Sequence, residues 1–341
     1  MFSLSPINQE RWHRFRQNRR GYWSLWLFLG LFGLSLLSDF MANEEPILVR
    51  YQNEFYFPLW NDYAETTFGG DFAVSVDYRD PYIADQINAQ GWMLWPPIRY
   101  DYRTINYNLP SPAPSPPTSE NWLGTDDQGR DILARLLYGF RISVVFGLTL
   151  TLLTSVVGIA AGAVQGFYGG KIDLFGQRLL EVWSSIPTLF VLIIISSFIP
   201  PSFWTLLVIL LIFGWMALVG VVRAEFLRAR NFDYVQAARA LGVSDRAIMF
   251  RHLLPNAMVA TITFLPFIMV GSITSLTALD FLGFGLPPGS PSRGEMVSQG
   301  KNNLHAPWIG LSVFVVLSLL LSLLVFVGEA VRDAFDPNRT R

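Results

Sequence analysis

The sequence predicts an all-α integral membrane protein of about six transmembrane helices, with a small α+β insert after the first. Three observations predict it. Of 341 residues, 51% are hydrophobic and 15% charged, with a mean hydropathy of +0.35, where soluble chains carry about 25% charged residues. Six runs approach the roughly 20 apolar residues that cross a bilayer. Arginines gather in segments that a six-span path places on one side, as cytoplasmic loops do.

The first run is residues 22–40. Arg11, Arg14, Arg16, Arg19 and Arg20 precede it, against a single Glu10. Its apolar core is longer than that of a signal peptide, and Ser38-Asp39-Phe40 is a poor cleavage site, so it reads as an uncleaved anchor. An acid-rich segment follows, with Glu44, Glu45, Glu54, Asp62, Asp71, Asp77, Asp80 and Asp85. Within it, residues 47–51 and 54–57 flank Gln52-Asn53 and predict a β-hairpin. Trp60, Tyr63, Trp92, Trp95 and Tyr102 fit a modest core and an interfacial belt. The segment is either a small lobe resting on the membrane or a docking surface for a partner outside it. Pro110, Pro112, Pro114, Pro116 and Pro117 predict an extended linker. The divisions are therefore 1–40 (basic terminus and first span), 41–120 (insert with linker) and 121–341 (core).

The core holds runs 142–164, 182–199, 203–222, 257–279 and 308–327. Lys171 and Arg178 separate the second and third. Arg223, Arg228, Arg230, Arg239, Arg246 and Arg251 separate the fourth and fifth. These segments and the basic N-terminus fall on one side, so both termini are expected in the cytoplasm and the insert outside. Before the second run, Thr125 or Asp126 is positioned to cap a helix opening near Arg130 and lying along the outer surface.

Residues 223–256 form the most informative loop. Residues 227–240 lack proline and glycine and favour helix. Gly242 permits a left-handed turn. Ser244 and Asp245 cap a second helix over 246–253, which Pro255 ends. Helix, sharp turn, helix makes a rigid knob. Gly158, Gly162 and Gly166 recur every four residues, a stripe that allows close helix packing. It serves within the bundle, at a dimer interface, or merely as a flexible helix end near Gly169-Gly170. Residues 281–288, Phe-Leu-Gly-Phe-Gly-Leu-Pro-Pro, form irregular backbone at membrane depth, tolerable only when buried in protein or lining a cavity. Asp280, Phe284 and Gly285 are candidates for an outer gate or substrate path there.

The loop resembles the EAA loop of ABC importer permeases, in Gln236, Ala237, Ala238 and Gly242 with the closing Leu254-Pro255. The family's glutamate is Gln236 here, and its aliphatic residue three before the proline is His252. Asn121-Trp122-Leu123-Gly124-Thr125-Asp126-Asp127-Gln128-Gly129-Arg130-Asp131, the Phe281–Pro288 stretch and the segment from Gly328 to Pro337 are similar to the dipeptide/oligopeptide/nickel (OppC/DppC-like) branch. The large insert looks like that of YejE-type peptide permeases, which also admit the peptide-nucleotide antibiotic microcin C. The resemblance implies a type I, MetI-like permease fold in a bacterial inner membrane. It implies an ATP-driven peptide importer in which a second homologous permease completes the path. ABC ATPase subunits, holding the ATP and Mg, would dock on the EAA loop. A periplasmic peptide-binding protein would deliver substrate.

Residues missing from the chain agree. There is no G-x-x-x-x-G-K-[ST], so ATP binding belongs elsewhere. Zero cysteines and three histidines, His13, His252 and His305, leave no zinc or thiol chemistry. A net charge of −1 gives no support for nucleic-acid binding. No catalytic constellation stands out, so an enzyme is not expected. A proton-coupled carrier, or a sensor using the outer lobe, remains the alternative, although neither mid-membrane ionisable pairs nor an inverted repeat is present.

Overall fold

A computed structural model describes residues 6–336. Two helices lead in, α1 (Pro6–Gln17) and α2 (Arg19–Leu36), joined at Asn18, whose side chain accepts from Gly21 N. A short α3 (Ser38–Met41) closes this segment. At 1.5 Å per residue, α2 is about 27 Å long, but it is not among the stretches long and apolar enough to cross a membrane, so four or five of the six expected runs are found as spans. Helix α2 packs along α14 (Pro307–Phe335). At Gly21 the two backbones come so near that a side chain would strike Ala330 and the Phe326 carbonyl.

The insert holds a three-stranded antiparallel sheet of order β2-β1-β3, from β1 (Leu48–Tyr51), β2 (Glu54–Tyr56) and β3 (Gly91–Leu94). Val49 pairs with Tyr56 on one side and Met93 on the other. Gln52 and Asn53 both take positive φ, 49° and 69°, as a two-residue hairpin turn requires. The expected hairpin is there. The third strand was not foreseen, because Gly-Trp-Met-Leu carries no alternation. Helix α4 (Pro81–Gln90), capped by Asp80, covers the sheet. Val49, Phe68, Ile83 and Ile87 form the lobe's own core. The proline-rich stretch is not a free linker. Ser115 is buried, its N–H donates to Thr125 Oγ1 at 2.9 Å, and its carbonyl accepts from Thr125 N at 2.9 Å.

The core is helical: α5 (Ile132–Tyr168), α6 (Gly170–Ser184), α7 (Thr188–Ser196), α8 (Phe203–Gly214), α9 (Met216–Ala229), α10 (Asp233–Ala240), α11 (Asp245–Ala247), α12 (Leu254–Phe281), α13 (Arg293–Asn302) and α14. Among the described residues, four helical stretches are long and apolar enough to cross a membrane: Ile132–Tyr168, Phe203–Ala229, Asp245–Phe281 and Pro307–Phe335. The pair α6 and α7 makes a fifth if counted as one span, bent by 65°. The expected continuous run 182–199 is therefore broken. Pro187 lacks an N–H and its ring disfavours helix before it. The Ser185 hydroxyl turns back to Val182 O at 2.7 Å.

Two further expectations change. Asp131, not Thr125 or Asp126, caps α5, accepting from Ala134 N at 2.7 Å. The helix then runs without a break into the apolar run, so no separate surface helix forms. Pro255 does not end its helix either. Residues Ile248–Leu253 form a π-helical turn, with Leu254 N bonded to Met249 O. The wider turn absorbs the proline, and the helix continues to Phe281.

Candidate functional site

The loop end is a knob built on α9. Helix α10 ends in a Schellman motif: Val243 N bonds Ala238 O at 3.0 Å and Gly242 N bonds Arg239 O at 2.9 Å. Gly242 sits at φ +75° with open space around it, the conformation glycine adopts without strain. The Ser244 hydroxyl then accepts from Ala247 N at 3.4 Å. One face of α10 is fixed: Val235 and Ala238 are buried with Phe167, Phe226, Ile248 and Leu253. Arg239 lies 5.0 Å over the Phe167 ring, tying the knob to the end of α5. The other face is open. Gln236, Ala237, Gly242 and Pro255 are exposed, and Leu254 is half-buried. The structure thus leaves four of the six expected loop residues open, turns Ala238 inward and packs Leu254 against the core of the knob. Leu241, 83% exposed at the tip, is a large apolar side chain that the motif-based reading passed over. Its position beside Gly242 was the available signal. Phe232 and Tyr234, whose rings lie 5.9 Å apart, and Phe250 are also exposed on this basic loop.

The glycine stripe faces α9 of the same chain. An added Cβ would lie 2.5 Å from Trp215 O at Gly158, 2.8 Å from Val219 O at Gly162 and 2.6 Å from Arg223 O at Gly166. Helices α5 and α9 are therefore in backbone contact over about two turns. Arg223 bridges from α9 to Asp173 of α6, with Nη2 2.7 Å from Oδ2.

At the insert end, a buried ion cluster joins the start of α5 to α13. Arg130 Nε donates to Asp126 Oδ2 at 2.7 Å and Nη2 to Glu295 Oε1 at 2.9 Å. Arg135 donates to Asp126 Oδ2, to Glu295 Oε2 at 3.0 Å and to Ser290 O at 3.2 Å. Gln299 Nε2 donates to Asp127 Oδ1 at 2.8 Å. Asp126 and Arg135 are wholly enclosed. Burial pushes the Asp126 carboxyl up, but the Arg135 and Arg130 guanidiniums and the N–H groups of Arg130 and Gln128 outweigh it, holding the group below the usual carboxylate range. Sequence reasoning found the Asp126–Arg130 segment but not its partners, which stand more than 150 residues away.

The expected gate residues follow α12. Gly283 (φ +81°) carries a second Schellman motif, with Phe284 N bonded to Leu279 O at 2.9 Å. Asp280, 9% exposed, accepts from Leu286 N at 2.7 Å and so holds this turn. Gly285 packs so tightly on Asp280 that no side chain fits. Phe284 packs against Leu206, Leu210 and Leu276. None of the three lines the cavity of about 500 Å³ that opens between α5, α7, α8, α9 and α12. Its wall places Thr154, Thr188, Ser272 and Ser275 among Phe213, Phe264 and Phe267. The Thr154 and Ser272 hydroxyls donate back to Leu150 O at 2.7 Å and Ile268 O at 2.9 Å, which satisfies their protons within an apolar wall.

Residues 134–341 match the family model of the binding-protein-dependent transport system inner membrane component. The chain belongs to that family. The relatives extend the likeness over the whole chain, insert included. The inner membrane ABC transporter permease protein YejE of Escherichia coli (strain K12) is 64% identical over 99% of each chain. The peptidoglycan transport system permease protein YejE of Agrobacterium fabrum (strain C58) is 58% identical over 99% of this chain and 94% of its own. The oligopeptide transport system permease protein OppC of Lactococcus lactis subsp. cremoris (strain SK11) is 34% identical over 68% of this chain and 80% of its own. Among solved structures, an inward-facing form of the MetNI methionine ABC transporter aligns at 16% identity with a TM-score of 0.48, over 60% of this chain and 97% of that one; a score at that level adds nothing to the assignment. This permease is thus a multi-pass inner-membrane component with the helical fold of its family. The C-terminal stretch that resembles the OppC/DppC-like branch reaches Pro337, which lies outside the described residues.

Proposed function

We propose that this chain is the translocation subunit of an ATP-driven peptide importer, with peptide conjugates of the microcin C type among its substrates. The observation that carries the reading is the full-length likeness, insert included, to an inner membrane ABC transporter permease and a peptidoglycan transport permease, joined by the likeness of 68% of the chain to an oligopeptide transport permease. The open knob supports coupling to a separate ATPase that binds ATP and Mg. A rigid body presenting Leu241 and Gly242, and keyed to α5 through Arg239 and Phe167, suits transmission of a domain motion. A second homologous permease completes the path; none of the 15 residues of α6 is buried in the single chain, which leaves that helix free to pack. A periplasmic binding protein delivers substrate at the insert side, and both termini and the knob face the cytoplasm, following the arginines. The hydroxyl-lined cavity fits a path that takes peptide backbones without selecting one side chain.

Peptide-stimulated ATP hydrolysis by the reconstituted complex tests this reading, using wild type and Gly242→Asp. The substitution places bulk and charge at a left-handed, open position at the knob's tip. Lost stimulation and lost uptake, with the membrane subunits still assembled, are expected. Unchanged stimulation and uptake would reduce the knob to a basic anchor.

A further inference from the structure

We infer that a trough along α1, α2, α12 and α14, closed in its lower half by α5, is a binding site for one anionic phospholipid, its phosphate held by the N-terminal arginines and an acyl chain laid between the helices. Two cavities make the trough. The upper one, about 590 Å³, is walled by Arg11, Trp12, Phe15, Pro255 and Phe335 at its mouth. The lower one, about 460 Å³, continues to Phe28, Leu265, Met269 and Leu324. They share Leu25, Met258 and Val327 in their walls, so the two adjoin end to end. Met269 lies fourteen residues beyond Pro255, or about 21 Å along the helix. The trough therefore runs through more than half of a ~30 Å hydrocarbon core. Its walls are almost wholly apolar below the mouth.

The mouth has the opposite chemistry. Glu10 takes Arg14. Arg11 rests 4.6 Å over the Phe335 ring and Arg16 5.8 Å over Tyr22. Arg16, Arg19 and Arg20 belong to the same basic run, within which Asn18 Nδ2 donates to Asp333 Oδ2 of α14 at 3.4 Å. Trp12, Trp23 and Trp26 are exposed around them, at the depth where aromatic side chains meet headgroups. A cationic rim over a long apolar slot matches a phosphodiester with its acyl tail. A protein helix laid there would cover arginines that it must then pair with carboxylates of its own, or leave buried and unpaired. Pro255 lies in the wall, so the lipid touches the start of the helix that follows the knob.

Native mass spectrometry of the purified full-length chain, with phosphatidylglycerol and with phosphatidylcholine, tests the site without any transport assay, so it stands or falls apart from the peptide reading. Phosphatidylglycerol is expected to be retained several-fold over phosphatidylcholine. Arg11→Gln is expected to weaken phosphatidylglycerol about fivefold and leave phosphatidylcholine unchanged, while Met258→Trp weakens both. Equal retention of the two lipids by wild type overturns the site. Wild-type chain with a phosphatidylglycerol bearing a photoactivatable acyl chain avoids any variant that misfolds. Cross-links are expected in peptides holding Leu25, Met258 or Ile262; cross-links elsewhere overturn the site. Cross-links lost once the chain is assembled with its transport partners would mean that protein covers the trough, and would overturn a lipid occupant.

Discussion

At Gly162 the nearest neighbours of a new side chain would be the Val219 carbonyl at 2.8 Å and the Val222 Cβ at 2.9 Å. Backbone cannot yield as the end of a flexible side chain can. Gly162→Leu should therefore part α5 from α9 and cost about 1–3 kcal/mol or more, read as a lowered melting temperature. Gly220→Leu, with open space around it, serves as the matched control and should change little. Asp126 makes a prediction of another kind. Its carboxyl is held below its unfolded value of about 3.9, so its stabilising contribution is full above that value and is lost as pH falls through the lower, folded one. Asp131 works in the opposite sense, because burial raises its carboxyl. Comparing wild type with Asp126→Asn isolates the first effect. The stability gap between them should be wide at pH 7 and close below about pH 4; a gap that does not change with pH would mean the cluster holds Asp126 without favouring its charge.

Helices α5 and α13 meet through the ion cluster as well as through an apolar cluster that includes Ile132, Leu136 and Met296. Removing Arg135 leaves the Asp126 and Glu295 carboxylates sharing the guanidinium of Arg130, one negative charge in excess, so Arg135→Met should cost about 3–5 kcal/mol, with amide exchange at the start of α5 rising first. The apolar runs of these elements were legible, because a span must be long and uncharged whatever surrounds it. The turn at Gly242 was legible too, since the Schellman geometry at that spacing demands a residue free to take positive φ. The break at Ser185–Pro187 was written in the proline but hidden by the apolar residues on either side. The π turn before Pro255 was not legible, because its cause is the choice between ending a helix and widening one turn, which packing decides. Of the candidate site, the outward residues of the knob could be read from the motif. Arg135, Glu295 and Gln299 could not, since only the folded chain brings positions 160 residues apart together.

The molecule combines a lobe with its own core and a helical body. Phe68 is fully buried at the lobe's centre, with Tyr51, Tyr56 and Tyr78 around it at ring distances of 5.1 to 5.6 Å. Phe68→Ala should remove about 3–5 kcal/mol from the lobe. Limited proteolysis is expected to cut between residues 57 and 80 while the melting of the helical body stays where it was. Simultaneous loss of both would mean that the stitches at Tyr138, whose hydroxyl lies 2.9 Å from Asp39 Oδ1 and from Ala42 O, make lobe and body one cooperative unit. The unbroken 37 residues of α5 link the ion cluster at one end to the Arg239–Phe167 contact at the other. At 1.5 Å per residue the helix is about 55 Å long. Under the proposed coupling it would act as a lever with a long arm: a tilt of about 5° around its cluster end would sweep the Phe167 end through about 5 Å, so a large stroke at the knob would become a fine adjustment at the opposite end.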